Sequence, residues 1–69
     1  MKLSARNALP GRIAAIKKGA VMAHVTVDLD GGTHIHSAIF VESVDDLGLQ
    51  EGDQVVALIK STDVMIAKA

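Results

Sequence analysis

The chain has 69 residues, a formal net charge of −1 and no cysteine, so it can form one small domain but no disulfide framework or thiolate metal site. Phe40 is its only aromatic residue, and a slightly acidic chain without stacking rings lacks what single-stranded nucleic-acid binding requires. Hydrophobic residues make up 49% and mean hydropathy is +0.35, more than one small barrel hides, so some of that surface is expected to face other subunits.

No run approaches about 18 consecutive apolar residues and no long apolar stretch opens the chain. Neither a membrane span nor a signal peptide is expected, and the protein is read as cytoplasmic. A domain of this size buries only about 60% of its unfolded surface. With no cysteines, a bound ligand or oligomerisation is the expected source of extra stability.

The predicted elements begin after an arm, residues 1–7. Pro10-Gly11 punctuates the approach to a first strand, Arg12 to Lys18, with Ile13 and Ala15 on one face and Ala14 and Ile16 on the other. Lys17-Lys18-Gly19 reads as a turn. Val21 to Leu29 alternates strictly: Val21, Ala23, Val25, Val27 and Leu29 share one face. Asp30-Gly31-Gly32 is a hairpin turn, and Thr33 to Val41 is the returning strand, with Ile35, Ile39 and Val41 on one face.

Parity fixes that hairpin. Directly opposed residues point to the same face, so Val27 and Ile35 share a face only if the loop holds an odd number of residues. A three-residue loop built as a type I turn with a glycine bulge satisfies this. It pairs Leu29 with Thr33, Asp28 with His34 and Thr26 with His36.

Ser43 to Leu47 reads as one helical turn, with Ser43 as N-cap, Asp46 as a weak capping-box partner and Gly48 closing it. Glu51-Gly52-Asp53 is a further turn, Val55 to Lys60 a fourth strand and Val64 to Ala67 a fifth. The expected fold is all-β: a five-stranded antiparallel barrel of the oligonucleotide-binding type with one short helical turn, as a single domain over residues 1–69.

Chemistry concentrates in Ser4-Ala5-Arg6-Asn7, which offers a hydroxyl, a guanidinium fork and a carboxamide. Lys60-Ser61-Thr62 adds an ammonium and two hydroxyls at a strand end. A tetrahedral dianion takes two cationic donors and several neutral ones. Ser43, at the start of the helical turn, offers one more hydroxyl. The competing reading of the arm is a solvated terminus with an incidental charge.

His34 and His36 lie on one strand face with His24 near it. They are read as solvent-facing or cross-strand paired, not as metal ligands. Lys17-Lys18-Gly19-Ala20 could form a backbone nest for an anion, although such a turn is more often only a turn. No paired carboxylates, phosphate loop or Ser-His-Asp set supports an enzyme.

Ser4-Ala5-Arg6-Asn7, Gly11, Lys17-Lys18-Gly19, Ser43 to Leu49, Glu51-Gly52 and Lys60 to Met65, in this order and spacing, resemble the molbindins. These are small molybdate-binding proteins whose module is TOBE-like. The resemblance covers essentially the whole chain. It implies a hexamer, a trimer of dimers, holding molybdate or tungstate between subunits. It implies Ser4, Ala5, Arg6, Ser43, Lys60 and Ser61 as the main site. It also implies anions near three-fold axes, for which the Gly19-Ala20-Val21 backbone is the expected position. The family often carries Ser or Thr where this chain has Phe40.

Three functions follow as expectations: binding and storage or buffering of the oxyanion, with the Lys60-Ser61 half of each site on a neighbouring subunit; a molybdate-sensing module acting through a protein partner; and, least favoured, a nucleic-acid-binding barrel.

Overall fold

The computed structural model of the chain describes residues 2–69. Its strands are β1 (Asn7–Lys18), β2 (Met22–Asp28), β3 (His34–Phe40) and β4 (Gln54–Ile59). One helix, α1 (Val41–Leu47), joins β3 to β4, and a 3-10 turn spans Ser61–Asp63. The four strands form one antiparallel sheet in the order β3-β2-β1-β4. The sheet curls but does not close, because β3 and β4 are its outer strands and do not pair with each other. It is a half-barrel of four strands, not the expected barrel of five.

β1 organises the sheet by changing partners. Its first half, Asn7 to Arg12, pairs with β4, and its second half, Arg12 to Lys18, pairs with β2. Arg12 faces both Asp28 and Gln54 and marks the changeover. The strand therefore starts five residues before the expected Arg12 and runs through Pro10-Gly11. Proline is tolerated there for a geometric reason. The Ile13 N–H donates to the Asp53 carbonyl at 2.9 Å, and the Ile13 carbonyl accepts from Gly52 at 2.8 Å. Alternation then turns the backbone of residue 10 away from β4, toward an edge that β2 does not reach. No ladder bond is lost.

A bulge at Ala14 corrects the expected faces of β1. Ile13 faces Val27 while Ala15 faces Thr26, so Ala14 has no partner. The extra residue puts Ile13 and Ile16, not Ile13 and Ala15, on the core side. Gly11 packs close against β2. A methyl group there would stand 2.6 Å from the Asp28 carbonyl oxygen and from a Val27 methyl.

β2 behaves as its alternation requires. Ala23, Val25 and Val27 are buried and, with Ile13 and Val44 of α1, form the core. Val21 falls outside the strand and is exposed, and Leu29 is half-buried against the core. The hairpin register is the one parity demands: Val27 with Ile35, Asp28 with His34 and Thr26 with His36. Leu29 N–H donates to the Thr33 carbonyl at 2.7 Å. The turn differs from a type I turn with one left-handed glycine, since both Gly31 and Gly32 have positive φ. Two glycines in a row make that conformation accessible.

α1 starts two residues earlier than expected. Phe40 is its N-cap, without a side-chain capping bond, and Ser43 lies inside the first turn, so it does not cap. Gly48 ends the helix in the left-handed conformation, with Gly48 N–H to the Asp45 carbonyl and Leu49 N–H to the Val44 carbonyl. This 5→2 and 6→1 pair is a Schellman motif.

The expected fifth strand, Val64 to Ala67, is not formed. Among the described residues these positions have no ladder partner, and Met65 and Ile66 are 93% and 89% exposed. The 3-10 turn carries the chain off the end of β4 before the segment can pair.

Gly11→Ala is expected to cost about 1–3 kcal/mol through overpacking against Asp28 and Val27. Urea unfolding checks it; an unchanged midpoint would show that the curl relaxes freely at this point.

Candidate functional site

The β1–β4 register decides where the cationic residues lie. Its last pair is Asn7 with Ile59, and the Asn7 Nδ2 donates to the Ile59 carbonyl at 3.2 Å. Arg6 and Lys60 are the residues next beyond this last pair, and Ser61 opens the 3-10 turn. Arg6 and Lys60 therefore lie at the same strand end of a single chain. Asn7 departs from its expected use. Its carboxamide ties the arm to β4 instead of remaining free for an anion.

Lys60 is the N-cap residue of the 3-10 turn, and its carbonyl accepts from Asp63 N–H at 2.9 Å. The turn fixes the direction in which Ser61 and Thr62 leave the strand. Ser4, Arg6, Lys60 and Ser61 are exposed and Ala5 is half-buried. Among the described residues the ion pairs are Lys18–Asp45 and His34–Asp28, so neither Arg6 nor Lys60 is held by a carboxylate. Two unneutralised cations at one strand end repel each other and attract an anion.

Magnitudes show what this end still lacks. At 4 Å a pair of unit charges is worth about 1 kcal/mol in bulk water and about 4 kcal/mol near a partly water-excluded surface. An exposed Arg6–Lys60 pair gains mostly the smaller figure. Something must cover it for tight binding.

Ser43 does not supply that cover from within the chain. α1 packs on β2 and β3, and Lys18, at the opposite end of β1 from Asn7, bonds Asp45 of α1 at 3.0 Å. The 12 residues of β1 separate the two ends, at roughly 3.3 Å per residue along a curved path. Within one chain Arg6 and Lys60 flank the Asn7–Ile59 end of the sheet, with Ser4 and Ala5 before it and Ser61 after it, while Ser43 lies on α1 near the Lys18 end. Glu42 and Asp46 share α1 with Ser43 and work against an anion there, while Asp45 is partly neutralised by Lys18.

The Gly19-Ala20-Val21 loop shows no αR–αL alternation, because Gly19 has no positive φ, and its N–H is engaged by the Met22 carbonyl at 2.8 Å. A nest requires successive free N–H groups in that alternation. The shallow hollow against Ala20 and Val21 is also bordered by Glu42, Asp45 and Asp46.

The histidines lie where the hairpin register puts them. His34 pairs with Asp28, the His36 Nδ1 is 3.4 Å from the Thr26 hydroxyl, and His24 opposes Ala38. Among the described residues no cluster of three His, Asp or Glu side chains is placed to hold a metal ion. An open groove of about 780 Å³ runs between Gly11, Arg12, Asp28, Leu29, Asp30 and Leu47. Its two carboxylates make it a poor anion site, and it is not lined by Arg6 or Lys60. No helix is long and apolar enough to cross a membrane among the described residues.

Comparison with known proteins gives one consistent result. Residues 3–66 match the TOBE domain. The chain is 50% identical over 66 residues to molybdenum-pterin-binding protein 3 of Clostridium pasteurianum, covering 96% of this chain and 97% of that protein. The structure of a molybdate-binding protein from Sporomusa ovata superposes with a TM-score of 0.93 and 44% identity, over 99% of this chain and 100% of that one. The cytoplasmic molybdate-binding protein ModG, with molybdate bound, gives a TM-score of 0.85 at 48% identity, over 88% of this chain and 43% of ModG.

Asn7→Ala is expected to lower stability by about 0.5–1.5 kcal/mol, the net worth of one hydrogen bond. Hydrogen exchange should quicken at residues 4–7 and 59–61 while β2 stays protected; uniform quickening would contradict a local tether.

Proposed function

Because the chain belongs to the TOBE domain family, we propose that it binds molybdate, with tungstate as an alternative ligand, and stores or buffers it in the cytoplasm. The observation that carries this reading is that Arg6 and Lys60, neither paired with a carboxylate among the described residues, flank the Asn7–Ile59 end of the sheet. Two full charges match a tetrahedral dianion, and the hydroxyls of Ser4 and Ser61 with the backbone at Ala5 supply neutral donors to its other lone pairs. The relatives are named as binding proteins, and the residues gathered here hold a charge without offering a general base or nucleophile.

The site is completed between subunits. One chain contributes Ser4, Ala5, Arg6, Lys60 and Ser61; Ser43 comes from a second chain, since its own α1 lies at the other end of β1. Packing that second chain over the cations displaces water and raises each charge contact toward the larger Coulomb figure above. It also links binding to assembly, because an anion that binds only the assembled form stabilises it by mass action. A homo-hexamer, built as a trimer of dimers, is the proposed assembly.

The sensing alternative would require a protein partner for the assembled module. A stoichiometric partner retained in a molybdate-dependent pull-down would favour it.

Arg6→Ala is expected to weaken molybdate binding by about 10- to 100-fold, the loss of a charged hydrogen bond of about 1.5–3 kcal/mol. Titration calorimetry measures it, with circular dichroism confirming an intact sheet; unchanged affinity would remove Arg6 from the site. Ser43→Ala should cost less, about 2- to 10-fold, from one neutral donor worth about 0.5–1.5 kcal/mol. In a mixture of Arg6→Ala and Ser43→Ala chains, some sites combine the two intact halves. Recovery of tight binding in that fraction is expected, and its absence would place Ser43 outside the site.

A further inference from the structure

The β2–β3 hairpin ends in a tip that carries a reactive pair, Asp30 followed by Gly31. An aspartate carboxyl can close a ring onto the backbone nitrogen of the next residue if it can approach that nitrogen. A side chain on the next residue shields the nitrogen, and glycine has none. The residues that follow the chain's other aspartates are Leu29, Asp46, Leu47, Gln54 and Val64, all of which carry that shield. Asn7, the one asparagine, precedes Ala8 and is tied to the Ile59 carbonyl.

The fold withholds at this tip what suppresses ring closure elsewhere. A ladder engages the backbone N–H groups and fixes the dihedrals around them. Here the ladder stops at Asp28 and His34, and Leu29 N–H closes the loop onto the Thr33 carbonyl at 2.7 Å. Asp30, Gly31 and Gly32 lie beyond that bond and are exposed. The two glycines stand at φ +88° and +83°, and apart from chain neighbours no atom lies within 4 Å of where a methyl group on either would be. Asp30 borders the open groove of about 780 Å³, so water reaches it. Other carboxylates are engaged: Asp28 by His34, Asp45 by Lys18, and Asp53 by Gln50 N–H at 2.9 Å. Among the described residues Asp30 belongs to no ion pair.

We propose that Asp30-Gly31 is a site of spontaneous isomerisation to isoaspartate, and that the product is a substrate for a carboxyl methyltransferase that recognises isoaspartyl residues. The Gly31 nitrogen attacks Cγ of Asp30. The N–Cγ bond forms, the amide proton and the carboxyl hydroxyl leave together as water, and a five-membered succinimide results. Water then adds to one of its two carbonyls. Opening at Cγ restores aspartate. Opening at the main-chain carbonyl breaks the original peptide bond, so the chain runs through Cβ and Cγ and the α-carboxyl is set free. One water leaves and one returns, so mass is unchanged and no oxidant is needed. The methyltransferase transfers a methyl group from a sulfonium donor to the freed carboxylate, and loss of methanol from that ester regenerates the succinimide. An extra backbone atom then sits in the three-residue loop whose length sets the hairpin register, next to the Asp28–His34 pair.

The reaction does not depend on which anion the protein holds. Purified full-length protein is aged at physiological temperature and neutral pH, in buffer and in concentrated guanidinium chloride. Electron-transfer fragmentation of its peptides locates isoaspartate, and a purified isoaspartyl methyltransferase with labelled S-adenosylmethionine counts it. Isoaspartate is expected at Asp30, formed in the native protein within about ten-fold of the rate in the unfolded chain, since exposed loop tips open at little cost in free energy. Slower formation than that, or isoaspartate arising first at another aspartate, would overturn the proposal. Asp30→Glu, whose ring closure needs six members, is expected to abolish methyl acceptance. Undiminished acceptance would also overturn it, and if the variant fails to fold the wild-type mapping decides.

Discussion

The antiparallel register of β1 against β4 is the constraint on which the rest of this molecule depends. It ends at Asn7 and Ile59, and that ending has two consequences. It leaves Arg6 and Lys60 just beyond the last ladder pair, with neither side chain held by a carboxylate among the described residues. It also leaves β4 paired on one edge only. A slip of one residue would reverse every side chain on β4, bringing Val56 and Leu58 inward and taking Val55, Ala57 and Ile59 out. The place of the two cations and the inward face of β4 are thus set by the same hydrogen bonds.

β1 can serve two partners because three features act together along it. Pro10 turns its missing donor to an edge with no acceptor. Gly11 lets β2 come within contact distance of the backbone. The bulge at Ala14 resets the parity so that Ile13 and Ile16 both reach the core. The core itself is small: among the described residues five hydrophobic side chains are buried, four from strands and Val44 from the helix. A core of that size leaves little surplus stability at 69 residues. Apolar residues also cover the outside of the β1–β4 pair, where Ala8 faces Leu58 and Pro10 faces Val56, all exposed. Such a face next to the charged strand end is consistent with a neighbour packed over both.

The parts of this arrangement that were legible in the sequence are those governed by local periodicity. The alternation of Ala23, Val25 and Val27 marked the core strand, and parity across Asp30-Gly31-Gly32 gave the pairings of Asp28 with His34 and Thr26 with His36. Gly48 and Gly52 both stand at positive φ where turns were read. Other features had no local signal. Ala14 and Ala15 are equally small and apolar, so nothing in the pattern says which one is the bulge. Pro10-Gly11 reads as a break because its tolerance depends on which edge β2 leaves bare. Ser43 resembles a cap, but the helix begins earlier, at a position where Phe40 has extended backbone and no capping side chain. At the candidate site, the residue types of Arg6 and Lys60 were readable. Their placement at one strand end was not, because it follows from the pairing of Asn7 with Ile59, 52 residues apart in sequence.

The fifth strand is the most instructive difference. Val64 to Ala67 has strand composition, and the sequence reading placed it in the barrel. Among the described residues it has no ladder partner. These observations agree if the pattern encodes a strand that forms only in an assembly. A hydrophobic pattern states that a segment must be covered, but not by which chain. The same holds for the anion site, where one chain gathers two cations without the cover that would strengthen them. Arg6 and Lys60 repel each other at this end of the sheet, and the 3-10 turn holds Lys60 there through the bond from Asp63 N–H to its carbonyl, so a dianion at this end would relieve a repulsion the fold itself imposes.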